Sequence, residues 1–119
     1  MIVDLLQDHD LEQLLLKSKT DPVIIFKHST QCPISTQAYE EFIDFAEGTR
    51  NLTCGAVLVI ENRRLSNAIA ERFGIRHESP QALLIKDGRV VWHASHWSIT
   101  SDSLTEALAP YAKSTHQRN

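Results

Sequence analysis

Residues 23–36 read VIIFKHSTQCPIST, and this stretch decides the fold. The run VIIF is short and rich in β-branched residues, which is typical of a strand buried on both faces of a sheet. Cys32 follows after a polar turn, and Pro33 suits a first helical position because its missing N–H would be unpaired there anyway. Apolar residues then recur at helical spacing, so the stretch predicts a strand, a turn that carries Cys32, and a helix that begins near Pro33.

The rest of the chain alternates helical and strand patterns. A first helix is predicted from Asp10, which can act as its N-cap with Gln13 three residues on, as in a capping box. Asp87-Gly88 predicts a tight hairpin turn between the last two strands. The other predicted elements are strands at 52–60, 81–86 and 89–94, a helix from Asn62 to Phe73, and a last helix at 101–112.

This order of elements predicts an α/β fold. Two strand–helix–strand crossovers followed by a hairpin imply a mixed four-stranded sheet with helices on both faces. A hairpin that adds an antiparallel edge to such a core is the thioredoxin arrangement. The 119 residues suit a single thioredoxin-like domain over 1–119, and residues 113–119 are expected to be a frayed tail.

Composition excludes several classes of function. The formal net charge is −3, so no basic excess favours nucleic acid as a partner. The longest apolar runs span only a few residues, and the N-terminus lacks the pattern of a signal peptide, so we expect no membrane partner and a cytoplasmic location. Two cysteines are too few for a disulfide framework. Nothing in the sequence indicates an obligate dimer, and we expect a monomer.

Cys32 is the candidate catalytic residue. At the N-terminus of a helix, backbone N–H groups and the helix dipole favour the thiolate, which is the nucleophilic form of cysteine. The alternative is a small buried apolar residue, which cysteines often are. The polar neighbours of Cys32, among them Thr30 and Ser35, and its place between two elements favour the catalytic role. Thr30, Pro33 and Ser35 are therefore predicted to form the supporting active-site loop.

A second candidate site precedes a predicted strand. Residues 77–81 read HESPQ, and Ser79-Pro80 is the kind of X-Pro bond that can be cis. A cis bond here would leave the backbone of Ser79 free to pair with an extended substrate beside Cys32. The alternative is an ordinary loop proline; the predicted fold favours the cis form, with Ser79 and Pro80 as substrate-binding residues.

The motif HST-x-CPIS, the Tyr/Phe helix after it, and HESPQA before a hydrophobic hairpin together resemble the monothiol bacilliredoxins. The resemblance covers about residues 20 to 108. It implies that Cys32 attacks a mixed disulfide between a protein cysteine and bacillithiol, and that Pro80 is the cis-proline facing Cys32. It also implies bacillithiol as a co-substrate, bacillithiolated proteins and a low-molecular-weight thiol as partners, and no tightly bound cofactor. The sequence departs from the family at Gln31, where the family usually has Thr or a similar residue. It departs again at His96-Trp97, where relatives commonly have a glycine-containing turn.

Two further residues have open roles. Ser35 occupies the place of the resolving cysteine in a C-x-x-C motif; its hydroxyl can hydrogen-bond the thiolate, or it is simply a solvated first-turn serine. Cys54 lies inside a predicted strand, where it is either a buried thiol or a candidate resolving partner for Cys32. Bridging would require the two Cα atoms to lie within about 7 Å.

Three other functions compete with thiol exchange. His28 and Cys32 have a ligand-like spacing, with His93 and His96 as further candidates, but zinc sites require four convergent ligands and we expect no metal. An iron–sulfur carrier of the monothiol glutaredoxin type typically has Gly-Phe after its cysteine, whereas Pro33-Ile34 follows here. A redox-inactive thioredoxin-like adaptor is the third alternative, and it would have no need of a stabilised thiolate.

Overall fold

The computed structural model describes residues 1–111. The predicted tail at 113–119 and the end of the predicted last helix at residue 112 lie outside the described residues. The elements in chain order are β1 (Ile2–Asp4), α1 (Asp8–Lys17), β2 (Val23–His28), α2 (Pro33–Glu47), β3 (Thr53–Leu58), α3 (Arg63–Phe73), β4 (Gln81–Lys86), β5 (Arg89–Ser95) and α4 (Ser101–Leu108). Short 3₁₀ turns follow β5, at His96–Ser98, and α4, at Ala109–Tyr111.

The sheet has five strands in the order β1-β3-β2-β4-β5, instead of the four that the sequence predicts. Strand β2 is central, parallel to β3 and antiparallel to β4, and β5 pairs with β4 as the predicted hairpin partner. The additional strand, β1, pairs in parallel with β3 at the edge of the sheet. It has only three residues, too few for an alternating pattern to be recognised in the sequence.

Helices cover both faces of the sheet, as predicted. Helices α2 and α4 pack on the face that carries Ile24 and Phe26, whereas α1 and α3 pack on the face that carries Val23 and Ile25. Neighbouring residues of β2 point to opposite faces, so the whole VIIF run is buried. This confirms the prediction of a strand buried on both sides.

Several predicted boundaries differ from the structure. The strand predicted at 52–60 is Thr53–Leu58, and the last helix, predicted to extend to residue 112, ends at Leu108 before a 3₁₀ turn. Helix α1 begins at Asp8, two residues before the predicted cap, and Asp10 instead accepts hydrogen bonds from the N–H groups of Leu6 and Gln7. The hairpin turn was predicted correctly. Asp87 and Gly88 have φ values of 55° and 76°, the left-handed conformation that Asp-Gly turns adopt.

Candidate active site

Cys32 is the N-cap residue of α2. Its backbone is extended, with φ −119° and ψ 120°, its carbonyl accepts a hydrogen bond from Thr36 N at 3.1 Å, and Pro33 is the first helical residue. The N–H of Cys32 donates to Ser29 O at 3.3 Å, which closes the turn between β2 and α2. The thiol is free and partly exposed. It therefore lies at the N-terminus of α2, beside the unpaired amides of the first turn, which is the position that the sequence predicted.

The other residues of the predicted active-site loop differ in exposure. Thr30 is exposed in the turn, two residues before Cys32, and Pro33 is exposed beside it. Ser35, in contrast, is fully buried. Its Oγ accepts a hydrogen bond from Ser29 N at 2.9 Å and lies 2.7 Å from His28 Nδ1. Ser35 is therefore not a solvated first-turn serine, because its hydroxyl belongs to a hydrogen-bonded network beneath the Cys32 turn.

The sequence indicated His28 only as a candidate metal ligand, whereas the structure places it in this hydrogen-bonded network. Its ring stacks on Tyr39, with the ring centroids 4.5 Å apart and the planes 13° from parallel. Burial lowers the pKa of His28, and the carboxylate of Glu61 partly opposes this effect. A histidine at the end of a strand gives no sequence signal for such a contact. Only the fold brings it against a serine seven residues further along the chain.

The Ser79-Pro80 bond is cis, as predicted. Lys27 pairs with Gln81 in the β2–β4 ladder, so the loop before β4 lies at the same end of the sheet as the Cys32 turn. Pro80 is buried, and its carbonyl accepts a hydrogen bond from His96 N at 3.0 Å. Ser79 Oγ is buried and has no hydrogen-bond partner among the described residues. The substrate-binding role of Ser79 and Pro80 remains a prediction.

Two histidine side chains contribute to holding the loop that carries Ser79 and Pro80. His77 Nδ1 lies 3.1 Å from the ammonium of Lys27, and His96 Nδ1 lies 3.4 Å from a carboxylate oxygen of Glu78. His96 has a φ of 53°, a conformation that favours glycine. This agrees with the glycine-containing turn expected of relatives at the same place.

Lys27 and Cys32 lie on opposite sides of the sheet. The Lys27 side chain is fully buried and follows Val23 and Ile25 on the sheet face that carries α1 and α3, whereas Cys32 begins a helix on the other face. Burial lowers the pKa of Lys27 to about 8. A single charged residue directly after an apolar strand pattern was the only available sequence signal for this buried base.

Cys54 lies far along the sheet from the Cys32 turn. It is fully buried, and its partner in the β2–β3 ladder is Ile24, whereas His28, at the Cys32 end of β2, pairs with Leu58. Burial raises the pKa of the Cys54 thiol to about 12. These features favour the packing role of Cys54 over the resolving role that the sequence left open.

Within residues 1–111, histidine, cysteine and carboxylate side chains do not converge in threes at a spacing suited to a metal ion. None of the helices in this range is both long and apolar enough to cross a bilayer.

Solved structures with the same fold include many thioredoxins. A thioredoxin variant from Halobacterium salinarum NRC-1 matches with a TM-score of 0.74 and 19% identity, over 94% of this chain and 91% of the other. Thioredoxin from Fasciola hepatica matches with a TM-score of 0.73 and 18% identity, over 93% and 99%. At these identities the likeness establishes the thioredoxin fold.

A further structure is more similar in sequence. It is described as a candidate oxidoreductase with a thioredoxin fold, and it matches with a TM-score of 0.80 and 34% identity, over 89% of this chain and 92% of the other. The fold and a free cysteine at the start of α2 define the class of protein, a thioredoxin-like thiol oxidoreductase.

The particular family follows from the sequence model that matches. Residues 3–104 match the family described as monothiol bacilliredoxin BrxC. The chain belongs to this family, which confirms the resemblance carried by HST-x-CPIS and HESPQA.

Proposed function

We propose that this protein removes bacillithiol, or a similar low-molecular-weight thiol, from mixed disulfides on protein cysteines, with Cys32 as the nucleophile. The observation that carries the proposal is the combination of one partly exposed thiol at a helix N-terminus with a buried serine, Ser35, where a resolving cysteine would stand. A site with one accessible sulfur can form a mixed disulfide with a small thiol. It cannot form an internal disulfide, because the residue at the resolving position has no sulfur.

The exchange has two steps. In each step one thiol and one disulfide react to give one new thiol and one new disulfide. The Cys32 thiolate attacks the bacillithiol sulfur of the modified protein, the protein–bacillithiol S–S bond breaks, and the protein cysteine leaves as a thiolate that takes a proton from water. Cys32 then carries bacillithiol as a mixed disulfide. In the second step a low-molecular-weight thiol attacks this adduct, forms a new small disulfide, and releases the Cys32 thiolate.

The predicted site residues have separate roles in this proposal. Backbone amides of the first turn of α2 stabilise the attacking thiolate, and Pro33 fixes the start of that turn. The backbone of Ser79, beside the cis-proline Pro80, would pair with an extended segment of the substrate protein. Bacillithiolated proteins and a free low-molecular-weight thiol are the proposed partners, with bacillithiol as the co-substrate. The cytoplasm is the proposed compartment, since thiols stay reduced there.

Intact-mass measurement of the protein after mixing with a bacillithiolated model protein tests the proposal. The wild type and Cys54→Ala should each gain the mass of one bacillithiol, and the model protein should lose it. Cys32→Ser should gain nothing. Cys54→Ala is the matched control, since it removes the other thiol without adding a buried polar group.

Two other outcomes would overturn parts of the proposal. Loss of two hydrogens without an adduct, in the wild type only, would mean that Cys54 resolves Cys32. No adduct on any variant would exclude transfer and support the adaptor or the iron–sulfur carrier. A pH titration of Cys32 alkylation then separates these two, because an idle cysteine has no need of a stabilised thiolate.

A further inference from the structure

His77 joins the loop that carries Ser79 and Pro80 to the interior of the protein. Its Nδ1 lies 3.1 Å from the ammonium of Lys27 and 3.3 Å from the hydroxyl of Ser66. Lys27 lies on β2 and Ser66 on α3, and both residues are fully buried, whereas His77 is partly exposed. The loop therefore reaches two buried polar groups through one ring nitrogen.

The chemistry of Lys27 decides where the His77 ring carries its hydrogen. An ammonium can only donate hydrogen bonds, so Nδ1 accepts from Lys27 and the ring hydrogen is on Nε2. Burial lowers the pKa of Lys27 to about 8. Burial also lowers the pKa of His77 below its usual 6.5, and the charges of Lys27 and Arg63 act in the same direction, whereas Glu78 partly opposes them. Near neutral pH the proton is therefore on Lys27, and His77 is neutral.

A proton added to the His77 ring would break this contact. Nδ1 would then carry a hydrogen and face the ammonium of Lys27, 3.1 Å away, with both groups positively charged. Ser66 is neutral and cannot offset this repulsion. Lys27 belongs to the central strand of the sheet, so the partly exposed ring of His77 is the partner that can move into solvent. The released ring binds one more proton than the held ring, so a fall in pH below 6.5 favours release.

We propose that Lys27 and His77 are positioning residues, which hold the loop that carries Ser79 and Pro80 while His77 is neutral and release it when His77 takes a proton. Ser79 and Pro80 follow His77 by two and three residues, so they lose their fixed position with it. The inference rests on the proposed function in one respect, which is that this loop pairs with the substrate protein. The held loop binds bacillithiolated protein, and the released loop binds it more weakly.

Cleavage of the native protein after Glu78 by a glutamate-specific endoprotease, at pH 7.5 and at pH 5.5, measures how often the loop opens. A protease cuts a folded chain at its transient openings, in proportion to the open population. An unstructured peptide of residues 70–85 corrects for the protease's own pH dependence. The corrected cleavage rate of the wild type should be about tenfold higher at pH 5.5, the factor expected for loss of one hydrogen bond to a charged group. A corrected rate that does not change with pH would overturn the proposal.

Two substitutions of His77 separate the hydrogen bond from the titration. His77→Asn places an amide oxygen near the position of Nδ1, which accepts from Lys27 but takes no proton, so cleavage should be slow at both pH values. His77→Leu has no acceptor and should be cut fast at both. Adding Lys27→Met to His77→Asn should restore fast cleavage, because the amide holds the loop through the ammonium. A double variant that is still cut slowly would contradict the role of Lys27.

His96→Asn is the matched control, since it removes the other histidine that contacts the loop. His96 Nδ1 lies 3.4 Å from a carboxylate oxygen of Glu78, and asparagine tolerates the φ of 53° at this position. This variant should keep the pH dependence of cleavage, because His96 does not contact Lys27 through this bond. Loss of the pH dependence in His96→Asn would assign the release to His96 instead.

Nitrogen-15 NMR of the His77 ring supplies a readout that a purely structural role would not move. At pH 7.5 the hydrogen should be on Nε2. Lys27→Met should raise the pH at which the ring takes its second hydrogen, because a positive neighbour is lost. A hydrogen on Nδ1 at pH 7.5, or the same titration midpoint in both proteins, would overturn the assignment.

Transfer of bacillithiol from a model protein to Cys32 connects the contact to the reaction. The rate of His77→Asn divided by that of the wild type should be about one at pH 7.5 and several-fold higher at pH 5.5, through a lower KM. The ratio cancels the thiolate fraction of Cys32, which is common to both proteins. A ratio of one at both pH values would exclude the positioning role. If the wild type gains no bacillithiol at pH 7.5, the proposed function fails instead, and cleavage and NMR still decide the loop contact.

Discussion

Replacing Lys27 by methionine measures what the buried ammonium costs the fold. Lys27 is fully buried, and its Nζ lies 3.1 Å from His77 Nδ1. Burial lowers its pKa from 10.5 to about 8. At about 1.4 kcal/mol per pKa unit, this difference corresponds to about 3 kcal/mol by which the charged side chain destabilises the folded state near neutral pH.

The direction of the pH dependence follows from the protons bound in each state. Between about pH 8 and 10.5 the unfolded chain retains a proton on Lys27 that the folded chain has lost, so raising the pH stabilises the fold. Below this range the full cost is present. Lys27→Met removes it and also loses the hydrogen bond to His77, worth about 1 kcal/mol. The variant should therefore be about 2 kcal/mol more stable than the wild type at pH 7, and the gain should shrink as the pH rises towards 10.

Urea unfolding followed by tryptophan fluorescence at pH 7, 8, 9 and 10 measures the free energy of unfolding of both proteins. The quantity to compare is the value for Lys27→Met minus the value for the wild type at each pH. Tyr39 and Cys54, whose pKa values burial raises, are present in both proteins, and their effects cancel in the difference. Lys19→Met, at an exposed position, should stay within about 0.5 kcal/mol of the wild type at every pH. A Lys27→Met difference that does not vary with pH, or a variant less stable than the wild type at pH 7, would refute the reasoning.

Two further predictions concern residues of β3, Gly55 and Cys54. A Cβ on Gly55 would lie 2.8 Å from Leu5 and 2.9 Å from Leu14, so Gly55→Ala should destabilise the fold by about 1–3 kcal/mol in urea unfolding, whereas Gly48→Ala, with 3.6 Å to its nearest neighbour, should have little effect. Equal stabilities for the two variants would contradict this packing. Because Cys54 is buried with a pKa of about 12, native Cys32→Ser protein should react with iodoacetamide at least about a hundredfold more slowly than the wild type, and should gain one label only after unfolding. Rapid labelling of the native variant would place Cys54 nearer the surface than the structure has it.

The sequence by itself determined the parts of this protein that depend on a few adjacent residues. Pro33 marks the start of α2 because of its fixed φ and its missing N–H, and Asp87-Gly88 marks the hairpin because both residues tolerate positive φ. Asn62 and Gly74 likewise mark the two ends of α3. These signals were sufficient to order the elements, to predict the fold and to place Cys32 at a helix N-terminus.

The tertiary structure alone decided which distant groups meet. The contact of Lys27 with His77 joins residues 50 positions apart, and β1 exists only because β3 offers it an unpaired edge. The pairing of His28 with Ser35, and the distance of Cys54 from the Cys32 end of β2, follow from strand register and helix packing. Local sequence encodes backbone conformation, whereas the partners of a buried polar side chain are fixed by the packing of whole elements, so no local pattern could have identified them.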